Sequence, residues 1–122
     1  MRGRILLAVC AIVLAGPVAA KQRPVPAATP VGAPVNCISL PIRESRVRDD
    51  RTIDFFSRGK VYRNVLPYSC PGLGTERAFS YATSQSQLCS VDIITVLQRA
   101  GGSFMRGASC GLGTFQPVTG MK

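Results

Sequence analysis

Short runs rich in β-branched and aromatic residues, separated by polar, glycine-bearing breaks, recur from Cys37 to Val118. Thr52-Ile53-Asp54-Phe55-Phe56 and the run from Val61 to Leu66 read as two strands, with Ser57-Arg58-Gly59-Lys60 between them. Alternation puts Ile53 and Phe55 on one face and sets Val61, Arg63 and Val65 against Tyr62, Asn64 and Leu66, and a connection of this kind suits a hairpin. A second pair follows, from Ala78 to Thr83 and from Asp92 to Leu97, the latter stopping before Gly101-Gly102. The run from Asp92 to Leu97 also fits a short helix capped by Ser90, with Ile93 and Leu97 on one face. Its β-branched content and shortness favour a strand. A last strand is expected over Gly113 to Gln116, with Phe115 in the core and Pro117 ending it. The pattern predicts a mostly β protein: a small antiparallel sheet or a partly closed barrel, stapled by two disulfides.

The start of the chain follows a different pattern. Arg2 and Arg4 precede an unbroken apolar run of 11 residues from Ile5 to Ala15, and Val18-Ala19-Ala20 supplies the small residues that a signal peptidase needs. Residues 1–20 therefore read as a signal peptide, cleaved between Ala20 and Lys21. A spanning helix needs about 20 apolar residues, and Gly16-Pro17 interrupts this run early, so no transmembrane segment is expected after cleavage. Cys10 lies inside the run behind the bulky Val9, which argues against lipid attachment. From Lys21 to Asn36 the sequence KQRPVPAATPVGAPVN has no aromatic residue and no hydrophobic periodicity. Its prolines favour extended conformations, so residues 21–36 are read as a disordered tether or a leader without a role. The compact domain is expected over residues 37–118, with 119–122 as a tail.

Composition sharpens this picture. The chain of 122 residues has no histidine, which removes the side chain whose ordinary pKa, about 6.5, serves proton transfer near neutrality. His-activated serine or cysteine nucleophiles and His-ligated zinc go with it. Once the leader is removed, Cys37, Cys70, Cys89 and Cys110 remain, an even number in an exported chain, where oxidised pairs persist. Spacing alone leaves three pairings open; the nested one, Cys70 with Cys89 and Cys37 with Cys110, is preferred as one local staple plus one tie from the domain's start to its end. With no C-x-x-C pair among them, structural zinc or redox chemistry is disfavoured.

The acid candidates are Glu44, Asp49, Asp50, Asp54, Glu76 and Asp92. Two carboxylates across a cleft would suit glycoside hydrolysis. Arg43, Arg46, Arg48 and Arg51 are interleaved with Glu44, Asp49 and Asp50, however, and read as a solvated, mutually screened run. Gly111-Leu112-Gly113 and Cys70-Pro71-Gly72-Leu73-Gly74 read as turns beside a disulfide rather than phosphate loops. Cleavage leaves 13 basic and 6 acidic residues, a charge of +7, which attracts anions. Only +4 of it falls in residues 37–118, and the exposed aromatics needed to stack bases are not evident, so nucleic acid is a poor partner.

The pattern of Cys37-Ile38-Ser39-Leu40, Asp50 to Phe55, Asn64-Val65-Leu66, Cys70-Pro71-Gly72-Leu73, Phe79-Ser80-Tyr81, Leu88-Cys89, Asp92 to Val96 and Cys110-Gly111-Leu112-Gly113-Thr114-Phe115 resembles a family of small exported proteins of Gram-negative bacteria with no assigned function. The resemblance covers residues 37 to about 118. It implies an extracytoplasmic, disulfide-bearing single domain, supplies no activity and offers no catalytic residue to carry over; from the residues themselves no cofactor or metal is expected. The expected role is that of a non-enzymatic binding or structural domain, periplasmic or secreted, with an anionic envelope component as the candidate partner. The alternatives are a carboxylate-based hydrolase and an inhibitor of envelope-attacking hydrolases. The positive charge speaks against an inhibitor of basic lysozymes.

Overall fold

In the computed structural model, which describes residues 24–83 and 85–120, the chain forms short strands throughout. They are β1 (Thr29–Pro30), β2 (Cys37–Ser39), β3 (Glu44–Val47), β4 (Thr52–Ser57) and β5 (Lys60–Val65), then a single helical turn, α1 (Leu73–Glu76), then β6 (Phe79–Tyr81), β7 (Gln87–Cys89), β8 (Ile93–Ala100), β9 (Ser103–Gly111) and β10 (Phe115–Thr119). Three antiparallel sheets result, in the orders β1-β10-β5-β4-β3, β2-β7 and β6-β8-β9. The protein is mostly β, as the pattern predicts, but the sheets do not close into a barrel.

The β4–β5 hairpin forms where it is expected, with a tighter turn. Ser57 pairs with Lys60, leaving Arg58-Gly59 as a two-residue connection in which both residues have positive φ, 51° and 74°. Turns of this hand match the twist of the flanking strands. Ile53 and Phe55 are fully buried on the inner face. Phe55 meets the rings of Phe79 and Phe115 edge-on at 6.1 and 5.6 Å, and so joins strands of two sheets in one core with Leu66, Leu73, Leu88, Ile94 and Val96.

The run after Asp92 is a strand and not a helix, and it continues to Ala100. Gly101-Gly102, both at positive φ, turn it back into β9, a strand that the sequence pattern does not announce. Leu112 and Gly113 then lead to β10. Here Asn64, wholly buried, donates from Nδ2 to the Gly113 carbonyl (2.7 Å) and accepts the Gly113 N–H at Oδ1 (2.8 Å). A side chain at Gly113 would overlap the Val65 carbonyl oxygen, so the close approach requires glycine.

Four expectations are corrected. Pro117 does not end the last strand. Its carbonyl accepts the Val31 N–H (2.9 Å), so its hydrogen-bonding edge faces the N-terminal segment, and Gln116 and Val118 face β5 instead. An antiparallel residue points both backbone groups the same way, and the missing N–H therefore costs no bond to β5. The described part of the proline-rich stretch is not a free tether: Thr29 and Pro30 pair with Thr119 and Val118, and Val35 exchanges two backbone bonds of 2.8 Å with Phe115. The same register puts Thr119 inside β10 rather than in a tail. The expected signal peptide and its cleavage at Ala20 lie outside the described residues.

The fourth correction concerns the cysteines, which pair as Cys37–Cys89 and Cys70–Cys110 instead of Cys70–Cys89 and Cys37–Cys110. Strand register decides this. β2 and β7 set Cys37 opposite Cys89, with Cα atoms 4.0 Å apart. The flanking bonds from Ser90 N–H to the Asn36 carbonyl and from Leu40 N–H to the Ser86 carbonyl leave the cysteines at a non-hydrogen-bonded position, where opposed side chains come closest. Cys110, opposite Ile94 on β8, is then left to reach the buried Cys70. Two disulfides fit an oxidising environment.

Candidate functional site

The outer face of the five-stranded sheet carries two cross-strand rows. Arg46, Asp54, Arg63 and Gln116 lie side by side across β3, β4, β5 and β10, and Glu44, Phe56, Val61 and Val118 form the row beside them. Such a face normally meets water, yet Asp54 is completely buried in it. Arg48 donates from Nε to Asp54 Oδ2 (2.8 Å), and Arg63 donates from Nε to Oδ1 (2.9 Å) and from Nη2 to Oδ2 (3.1 Å). The two arginine side chains are 18% and 14% exposed. They roof the carboxylate, and a buried charge is tolerated only when paired and hydrogen-bonded in this way.

One residue along, Arg46 stands 5.2 Å over the Phe56 ring and donates from Nε to Glu44 Oε1 (2.7 Å). The hydrogen bond to Glu44, and then its charge, raise the Arg46 pKa above the ordinary guanidinium value. Arg46 therefore stays cationic at every physiological pH. A cavity of about 620 Å³ opens here, lined by Arg46, Arg48, Lys60, Phe56, Val61 and Val118 among others. Its volume lies within the usual range for small-molecule sites, about 300–1,000 Å³. On this face three cationic groups, Arg46, Arg48 and Arg63, stand with two carboxylates, Glu44 and Asp54, and Lys60, which is set opposite Ser57 at the turn, borders the cavity. The surplus is positive and adjoins an apolar row, an arrangement that suits an anionic group attached to an apolar one.

The carboxylates singled out in the sequence are not brought together. Besides Asp54, Asp50 accepts the Gly74 N–H at Oδ1 (2.7 Å), Asp92 accepts the Cys89 N–H at Oδ2 (2.7 Å) and Asp49 accepts the Arg51 N–H at Oδ1 (2.8 Å). Each ties a turn or helix start to its neighbour. The cavity beside Arg46 has no carboxylate among its described lining residues, and a second, smaller cavity bordered by Tyr81, Ile93, Thr95 and Arg106 has Asp92 as the one carboxylate in its lining. Among the described residues no group of three or more His, Cys, Asp or Glu could hold a metal ion.

The arginine run is likewise more than a screened surface. Glu44 and Arg46 do form an exposed pair. Arg48, however, is committed to Asp54, and Arg51 donates to the Leu66 carbonyl (2.6 Å) and the Pro67 carbonyl (3.2 Å), closing the loop before β4 onto the end of β5. The cavity itself went unread in the sequence. The signal was present: strand alternation through Glu44, Arg46 and Arg48 puts the three on one face.

Among the described residues no helix is long and apolar enough to cross a membrane. No protein-family model, curated protein or solved structure matches the chain.

Proposed function

We propose that this chain is an exported, non-catalytic binding domain of the bacterial envelope, and that its ligand is an anionic envelope component bearing an apolar group. The single observation that carries the reading is the cavity on the outer sheet face, lined by Arg46, Arg48 and Lys60 together with Phe56, Val61 and Val118. The leader-like start of the sequence and the two disulfides support a periplasmic or secreted location. Arg48 is held beneath the surface by the buried Asp54, whereas Arg46 is exposed and its partner Glu44 is exposed too, so Arg46 and Lys60 are the side chains that meet the anion, while Phe56 and Val61 receive the apolar part.

Calorimetric titration of the oxidised protein with octyl phosphate tests this reading, with inorganic phosphate and octyltrimethylammonium as controls. Octyl phosphate is expected to bind with Kd on the order of 10–100 µM, the surplus left after ordering costs offset the burial of a short chain. Inorganic phosphate alone should bind far more weakly. Exchanging Arg46 and Lys60 together for glutamine should weaken octyl phosphate roughly tenfold, about 1.4 kcal/mol. Equal affinity for the cationic amphiphile would overturn the reading. So would a hydrolase activity lost in Asp92→Asn with the fold intact.

A further inference from the structure

The β8–β9 hairpin projects beyond its own sheet. β6 pairs with β8 only from Ile94 to Val96, and the Leu97 N–H bonds to the Ala78 carbonyl, so from Gln98 to Met105 the ribbon has two strands and no third. A two-stranded ribbon has no core to hide in. Residues 98–106 are all exposed, with Phe104 at 56% and Met105 at 57%. Directly opposed residues share a face, so Leu97 and Arg106, Arg99 and Phe104 lie together on one side of the ribbon. There the Arg99 guanidinium stands 5.7 Å over the Phe104 ring. The same face continues down β8 to Ile93, itself 58% exposed. Between residues 97 and 107 both charged side chains are arginines. The nearest acid, Glu76, sits at the root of the arm, where Oε2 accepts the Arg99 N–H (3.4 Å), and the exposed Arg77 follows it.

An aromatic ring and a thioether at the end of a bare ribbon, flanked by guanidiniums on apolar stems, match one surface in both polarity and charge. We propose that the β8–β9 arm docks on an anionic lipid surface, setting Phe104 and Met105 at headgroup depth with Arg99 and Arg106 on the lipid phosphates. Long basic side chains hold their stems in the apolar layer and their heads at the phosphates, and each contributes about fivefold to partitioning onto an anionic leaflet. The proposal rests on the envelope reading only for where the lipid is met; the cavity on the five-stranded sheet takes no part in it.

The chain contains no tryptophan, so Phe104→Trp makes the arm its own reporter. The oxidised variant is titrated with phosphatidylcholine vesicles, with and without phosphatidylglycerol, and with bromine-labelled acyl chains. The expected result is a blue shift and bromine quenching on anionic vesicles, with partitioning onto phosphatidylcholine alone weaker by tenfold or more. Adding Arg99→Gln and Arg106→Gln should lower anionic partitioning by about 25-fold, two arginines at about fivefold each. Met105→Ser, measured by vesicle sedimentation in the otherwise unaltered protein, should also weaken it. Absence of a shift on anionic vesicles, or a shift indifferent to the two arginines, overturns the proposal. A blue shift that needs no lipid and tracks self-association would assign the arm to a second copy and equally overturn it. Octyl phosphate titration of the arginine variants should retain the unaltered affinity, so failure of the cavity and failure of the arm are read separately.

Discussion

Asp54 shows how a single side chain organises the outer sheet face. Its carboxylate is removed from water and held by three bonds from Arg48 and Arg63. Removing one member of such a group costs far more than the group adds, because the others are left buried without a counter-charge. Asp54→Asn should therefore lose about 3 kcal/mol of unfolding free energy, measured by urea denaturation. It should also splay Arg48 into the cavity. A loss under about 0.5 kcal/mol, as at an exposed pair, would mean that the roof is open. In the sequence, alternation assigns Asp54 to the side opposite Ile53 and Phe55, and that was legible. Its burial was not, because the cover comes from one strand before it and one after it. The same holds for Asn64, whose partner Gly113 lies 49 residues away.

At the level of elements, the sequence signal is uneven. Gly59 marks the β4–β5 hairpin, which forms; Gly101-Gly102 reads in the sequence only as the end of the run from Asp92, whereas in the fold it turns β8 back into β9. β9 was missed because Phe104-Met105-Arg106-Gly107-Ala108-Ser109 has few β-branched residues, and a register shift opposite Thr95 and Leu97 breaks its alternation. It is a strand through its partner, not through its own composition. The β4–β5 turn suggests an engineering change. Arg58 holds φ 51°, a conformation that disfavours most side chains, and Asn is among those that tolerate it. Arg58→Asn should raise stability by about 0.5–1 kcal/mol in thermal unfolding, with no change in the fold. A loss of stability would show that the arginine makes a compensating contact.

Across the whole molecule, the two disulfides interleave along the chain, with separations of 52 and 40 residues. In the chain-entropy account each closes a loop worth about 4 kcal/mol. Replacing Cys37 and Cys89 by serine, or Cys70 and Cys110, should each lower unfolding free energy by roughly that amount, as calorimetry can measure. The pair containing the fully buried Cys70 should cost the more, since a serine there also buries a hydroxyl. The number of bridges could be read from the sequence, because it needs only the even count of cysteines that remains once residues 1–20 are read as a leader. Their partners could not, because β2 meets β7 across 52 residues and no local spacing encodes that register. The mostly β architecture was legible for the opposite reason: it rests on runs and breaks that each segment carries by itself.

The crossing of the two bridges also governs how the chain survives proteases. Because Cys70 falls between Cys37 and Cys89, and Cys89 between Cys70 and Cys110, every peptide bond from Cys37 to Cys110 is spanned by at least one cystine. A nick anywhere in that stretch releases no fragment: the intact mass gains one water, and two pieces separate only when a reductant is added.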